Sequence, residues 1–196
     1  LIDTGDTIEK IEGVMSGTLS YLFSQFDGSI PFSQLVKKAR KNGFTEPDPR
    51  DDLSGLDIAR KLLILIRESK IPFEMKDIKI ENLVPIKARK TKSINEFFKI
   101  LEANDKKFGQ RVNKVVAKGK KLCYVAKYEK GKAKVGIEEI NEKHPFYSLS
   151  GSDNIVALTT KNYSKKPFVI KGPGAGAEFT AFGVFIDIMR ISNYLG

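Results

Sequence analysis

Tryptophan is missing from this chain, and cysteine and histidine occur once each, as Cys123 and His144. One cysteine excludes an internal disulfide, and one histidine excludes a His/Cys metal cluster; no metal site is expected. No apolar run approaches the roughly 20 residues of a membrane-spanning helix. No signal-peptide pattern, internal repeat or low-complexity tract is legible either, so the expected setting is cytoplasmic and reducing, with no membrane partner. What is there is 196 residues, 41% of them hydrophobic, enough to bury one substantial core. The chain opens in mid-pattern on Leu1 and reads as a single domain, 1–196, belonging to a longer polypeptide.

The net charge of +10 invites a nucleic-acid reading, and its location argues against one. Residues 87–134 hold sixteen Lys or Arg against four Asp or Glu, and the remainder is slightly acidic. Phe97, Phe98, Val115 and Val116 share that segment without the aromatic interleaving of single-strand binders. A solvated basic face is the favoured reading, and no nucleic-acid partner is expected.

Elements of both kinds alternate along the chain. Residues 7–15 read as a strand, Gly17 and Thr18 open an apolar helix, and 33–42 form an amphipathic helix stopped by Gly43. Ser54 and Asp57 have the spacing of a capping box, with Leu53 and Ile58 as its hydrophobic staple, heading a helix to about Ser69. The centre of that helix, 62–66, is apolar all round, which predicts burial on every side. Beyond Pro72 the chain is polar and extended. Ser93 and Glu96 form a second capping box at the head of a long lysine-rich helix. Period-two alternation around a turn at 129–132 predicts a β-hairpin, with further strands at 154–161 and 167–171 and a terminal helix from about Glu178. The class expected is α+β, a mixed sheet covered by helices.

The chemistry is concentrated in 43–61. Glu46, Asp48, Asp51, Asp52, Asp57 and Lys61 share one loop and the helix it enters. Carboxylates gathered this closely repel unless a cation, a metal or an ammonium-bearing ligand holds them. Pro47 and Pro49 stiffen the path. Asp57 and Lys61 are four apart on one helix face that continues as Ile64 and Leu65, so Lys61 is expected to be partly desolvated and able to exchange protons near neutral pH. The plainer alternative is a helix cap with an ordinary ion pair. A ligand bearing both an ammonium and a carboxylate suits the mixture. Metal binding is the weaker rival, because the spacing lacks the alternate-residue pattern of a calcium loop.

The run Gly-Phe-Thr-Glu-Pro-Asp-Pro-Arg-Asp-Asp-Leu-Ser-Gly-Leu-Asp-Ile-Ala-Arg-Lys resembles the signature of homoserine dehydrogenases. The likeness extends to the segments 11–21, 150–154 and 172–177, which bracket nearly the whole chain. The resemblance implies the catalytic and dimerisation portion of an oxidoreductase that interconverts L-homoserine and L-aspartate 4-semialdehyde with NAD(P)H, in threonine, methionine and isoleucine biosynthesis. Some members are fused behind an aspartokinase. It also implies roles: Glu46 for the substrate ammonium, Asp51, Asp52 and Asp57 completing an acidic wall, and Lys61 as proton donor and acceptor at the substrate oxygen. Gly17 and Thr18 would line the pocket through backbone groups, Phe44 stands where relatives carry tyrosine, and Gly174 and Gly176 would approach the cofactor. Phe179 and Phe182 replace smaller residues. A homodimer formed through the sheet and terminal helix is implied as well.

The G-x-G-x-x-G turn of a dinucleotide fold does not occur in this sequence, so NAD(P)H is expected to be bound mainly by another domain, and the isolated chain is expected to lack useful turnover. A noncatalytic dimerisation or amino-acid-sensing module is the alternative. Cys123 fits a packed strand position, His144 a turn, and 152–154 a turn beside the cleft.

Overall fold

The computed structural model describes residues 1–174 and 176–195; Ala175, within the glycine-rich run, lies outside them. Its centre is a six-stranded sheet built from β1 (Ile8–Val14), β2 (Ile78–Ile80), β3 (Lys121–Glu129), β4 (Lys132–Ile140), β5 (Asp153–Thr160) and β6 (Phe168–Pro173), in the order β2-β4-β3-β1-β5-β6. Among the described residues, only the β2–β4 pair is parallel. The hairpin β3–β4 forms where the alternation predicts it, and its two-residue turn places Lys130 and Gly131 at φ 50° and 74°, the paired positive angles that match the twist of adjoining strands. Short β2 is the strand that sequence periodicity does not reveal, since three residues are too few for an alternation.

Helices α1 (Gly17–Gln25), α2 (Phe32–Lys41), α3 (Pro49–Leu53), α4 (Leu56–Glu68), α5 (Ile94–Glu102) and α6 (Asp105–Val116) carry the apolar residues that form the main core with the sheet. Leu122, Tyr124, Ala126 and Tyr128 of β3 belong to that core. Their alternates Cys123 and Val125 join Val14, Ile155, Phe146 and Leu149 in a smaller second core. Burial pushes the Cys123 thiol up to about 11, consistent with packing and not with nucleophilic chemistry. The terminal helix α7 (Ala177–Leu195) exposes Phe179, Phe182, Phe185 and Ile188 by more than half.

Three sequence expectations need correction. The lysine-rich helix is two helices, because the chain turns at Ala103 and Asn104 and thereby brings the Asp105 carboxylate to the first turn of α2, where Ser33 donates to it from its backbone N–H (2.8 Å) and its hydroxyl (2.5 Å). Ser54 is not the N-cap: a short helix, α3, occupies 49–53 with Asp48 as its cap, and Gly55 starts α4 with φ 73°. Finally, α4 is not buried all round. Ile58, Ala59, Leu62 and Ile66 face the core, whereas Ile64 is 59% exposed, the one-sided pattern of an ordinary covering helix.

On the second face of the sheet, Glu12 sits 2.6 Å from Lys10 Nζ and 3.8 Å from His144 Nε2. Burial alone would raise this carboxyl, but the ammonium contact and the imidazole more than reverse it, to about 2 from an ordinary 4.5. A carboxyl depressed on folding adds stability above its unfolded pKa, and that stability is lost as pH falls from about 4.5 toward 2. Glu12→Gln should therefore lower stability at pH 7 by on the order of 2 kcal/mol, after discounting for remaining solvent, and flatten the acid limb. Urea midpoints at pH 7 and pH 3 read this; equal midpoints at pH 7 contradict it.

Candidate active site

Two clusters meet where β1 ends and α1 begins. Ser16 caps α1, accepting from the Leu19 N–H at 3.2 Å, so the Gly17 and Thr18 amides of the first turn have no acceptor within the helix. Next to them the Met15 carbonyl accepts from Lys61 Nζ at 3.1 Å. The same ammonium pairs with Asp57 at 2.8 Å one turn earlier on α4. Its side chain is 46% exposed, so Lys61 is less desolvated than the sequence pattern predicts: Ile64, one turn on, faces solvent and does not cover it.

The second cluster is centred on Asp52. Its Oδ1 lies 2.8 Å from the Thr18 hydroxyl, and its Oδ2 accepts from the Glu46 N–H at 2.9 Å. Thr18 Oγ1 is also 2.7 Å from the Phe44 carbonyl. The single Thr18 hydroxyl proton is thus shared between the Asp52 carboxylate and the Phe44 carbonyl. Burial pushes Asp52 up, the Glu46 and Asp51 charges add to it, and the Thr18 and Glu46 hydrogen bonds oppose it without reversing it. The Phe44 ring stacks on Tyr21 at 4.3 Å, which holds the loop by its apolar face. Thr18→Val keeps the shape, removes the bridge, and should cost about 1 kcal/mol by leaving the part-buried Asp52 oxygen and the Phe44 carbonyl without their donor. An unchanged urea midpoint would show that the bridge does not hold the loop.

Not every acidic residue joins these clusters. Glu46 is exposed, lining an open cleft of 590 Å³ with Arg40, Lys41 and Phe98, while Asp51 lines another of 540 Å³ with Arg50 and Lys90. Neither cleft includes Lys61, so in this chain by itself Glu46 and Lys61 do not share a closed cavity. Asp48 is structural: the Arg50 guanidinium bonds both its oxygens, holds the carboxyl below the usual range, and reaches on to the Thr91 carbonyl at 2.7 Å. That brace ties the loop to the segment before α5. Its local half is legible in the sequence as Asp, Pro and Arg in the order of a capped first turn.

Gly55 is a structurally constrained position that the sequence reading does not single out. It links the Asp52 cluster to the Lys61 cluster, and a Cβ built there would lie 2.0 Å from Tyr124 Oη. Gly174 also has an internal reason to be glycine, since a Cβ would meet Asn154 Nδ2 at 1.9 Å. Gly176 has φ 151°, and among the described residues a Cβ there would come near Phe179 Cβ alone, at 4.0 Å, while its carbonyl accepts from the Thr180 N–H at 2.8 Å. Among the described residues, no group of three His, Cys, Asp or Glu side chains is placed to hold a metal ion, and no helix is long and apolar enough to cross a membrane.

A family model described as homoserine dehydrogenase matches residues 1–189. The bifunctional aspartokinase/homoserine dehydrogenase 1, chloroplastic, of Zea mays is 48% identical, the match covering 100% of this chain and 22% of that protein. The homoserine dehydrogenase of Saccharomyces cerevisiae is 44% identical, with 100% and 56% covered. The crystal structure of a Candida auris protein of unknown function superimposes with a TM-score of 0.92 at 40% identity, covering 98% of this chain and 56% of that one. A Staphylococcus aureus homoserine dehydrogenase shares the fold, at 23% identity and a TM-score of 0.75, with 97% and 43% covered. The chain thus spans about a fifth of its bifunctional relatives and about half of the yeast protein.

Proposed function

The chain belongs to the homoserine dehydrogenase family, and from that premise we propose that it forms the substrate side of an oxidoreductase interconverting L-homoserine and L-aspartate 4-semialdehyde. The observation that carries the reading is Lys61, an ammonium steered by Asp57 and the Met15 carbonyl to the edge of two unused helix N–H groups. Lys61 donates its proton to the carbonyl oxygen as the semialdehyde is reduced and takes it back from the hydroxyl as homoserine is oxidised. Asp57 keeps that ammonium oriented between turnovers. The Gly17 and Thr18 amides offer the substrate carboxylate the positive end of α1. Glu46, with Asp51 and Asp52 behind it, takes the substrate ammonium, which requires the Glu46 side chain to swing inward from its exposed position. Phe44, packed on Tyr21, forms a side of the pocket.

NAD(P)H, when bound, supplies or accepts the hydride at the substrate carbon. The space beside Gly176, where an added Cβ would come near Phe179 alone among the described residues, fits the approach of such a cofactor, with Gly174 close by in the same run, and in this reading the dinucleotide is held mainly by chain outside these residues, in keeping with the greater length of the relatives. The exposed apolar residues of α7 and β6, among them Phe182, Phe185 and Ile170, support burial against further chain or in a homodimer. A cytoplasmic setting and a place in threonine, methionine and isoleucine biosynthesis belong to the same reading.

Glu46 tests the substrate. In the full-length protein, Glu46→Gln should raise the KM for homoserine about tenfold or more, because a charge-assisted contact to the substrate ammonium becomes a neutral one. Steady-state kinetics at saturating cofactor measure it, and an unchanged KM would remove Glu46 from the site.

A further inference from the structure

The sequence spreads its basic excess over nearly fifty residues, but the fold gathers part of it around one cleft. The segment 81–89, leading from β2 toward α5, and the helices α5 and α6 enclose a volume of about 790 Å³. Lys87, Arg89, Lys99, Lys107 and Arg111 stand around it, and Glu81 is the one carboxylate in its lining. That carboxylate is already engaged, by Arg111 and by the Ile137 N–H at 3.0 Å. Arg89 is turned to the Val84 carbonyl at 3.1 Å. Lys87, Lys99 and Lys107 have no carboxylate within salt-bridge reach among the described residues, whereas Lys37 and Lys120 on neighbouring surfaces do. Leu83, Val84, Ile100 and Phe108 supply an apolar floor.

Three unpaired ammoniums held around one basin repel each other, and a solvated face gains nothing from converging them. An anion of several charges relieves that repulsion. The volume falls within the range of about 300 to 1,000 Å³ typical of small-molecule sites, and the apolar floor favours a ligand with a flat or apolar body over a bare anion. We propose that this cleft binds a multiply phosphorylated small molecule carrying such a body, its phosphates on Lys87, Lys99 and Lys107 and its body on Ile100 and Phe108. The cleft adjoins the one lined by Asp51, sharing Asn82, Val84 and Arg89 with it, but its own lining holds no residue of the acidic loop and the proposal does not rest on the reading of that loop.

The test is lysine acetylation footprinting of the full-length protein by mass spectrometry, with ATP, inorganic tripolyphosphate and adenosine as probes. ATP should protect Lys87, Lys99 and Lys107 while leaving Lys130 and Lys132 of the hairpin turn unchanged. The double variant Lys99→Gln/Lys107→Gln should need at least about tenfold more ATP to protect Lys87, with homoserine turnover unaffected. Tripolyphosphate should protect only at higher concentration than ATP, and adenosine not at all. Absence of protection at millimolar ATP, or equal protection at Lys130 and Lys132, would overturn the site. Tripolyphosphate acting as well as ATP would overturn the role of the apolar floor.

Discussion

Lys61→Ala in the full-length protein should lower kcat by about two to four orders of magnitude with much less change in homoserine binding. The reason is positional. In the proposed mechanism Lys61 Nζ exchanges the proton, and Asp57 and the Met15 carbonyl hold it near the start of α1, at 2.8 and 3.1 Å. On that proposal, removing it would leave the helix N-terminus and the acidic loop to bind substrate but nothing to exchange a proton with the reacting oxygen. Lys61→Arg sharpens the test, since a guanidinium keeps the charge yet does not release a proton near neutral pH. It should be nearly as slow as the alanine variant. If Lys61→Arg restored turnover, charge alone would be the role of this residue. If Lys61→Ala kept its rate within a few-fold, the sensing or dimerisation alternative would replace the catalytic one.

Gly55→Ala should destabilise the fold by about 2 to 5 kcal/mol, combining a left-handed backbone forced on an L side chain with overpacking of a full core. The clash is specific. The new methyl would fall 2.0 Å from Tyr124 Oη, and Tyr124 is fully buried and donates to the Glu81 carbonyl at 2.7 Å. Burial pushes the phenol far up, so it remains a donor. Adding Tyr124→Phe to Gly55→Ala relieves the nearest atom, and the double variant should recover part of the loss, a coupling that a thermodynamic cycle in urea reads directly. A Gly55→Ala midpoint within about 1 kcal/mol of the parent would show that the backbone there can move. Because Gly55 joins Asp52 to Asp57 and Lys61, activity should fall with stability.

What was legible in the sequence is local. The β3–β4 hairpin follows from alternation and a turn that tolerates positive φ, and Ser93 does accept from the Glu96 N–H, at 3.2 Å, as its capping spacing predicts. The misreadings arise where a distant residue overrides a local signal. Ser54 has the spacing of a cap, yet the need for a side-chain-free residue under Tyr124 gives the helix start to Gly55. The run 62–66 is apolar on every side, but only the sheet decides which side is covered, and Ile64 is left outside. Asp105 caps a helix seventy-two residues away, which no window reveals.

The same division holds for the site. Residue types and spacing by themselves determined that 43–61 gathers carboxylates with one lysine, that Asp57 and Lys61 pair across a helical turn, and that the chain resembles one enzyme family, because these depend on neighbours along the chain. The tertiary structure alone decided that Lys61 leans on the Met15 carbonyl and Asp52 on Thr18, and that Glu46 turns outward. Those contacts join residues more than thirty positions apart, and closing such loops is favourable only when the sheet and its helices have buried their apolar faces together.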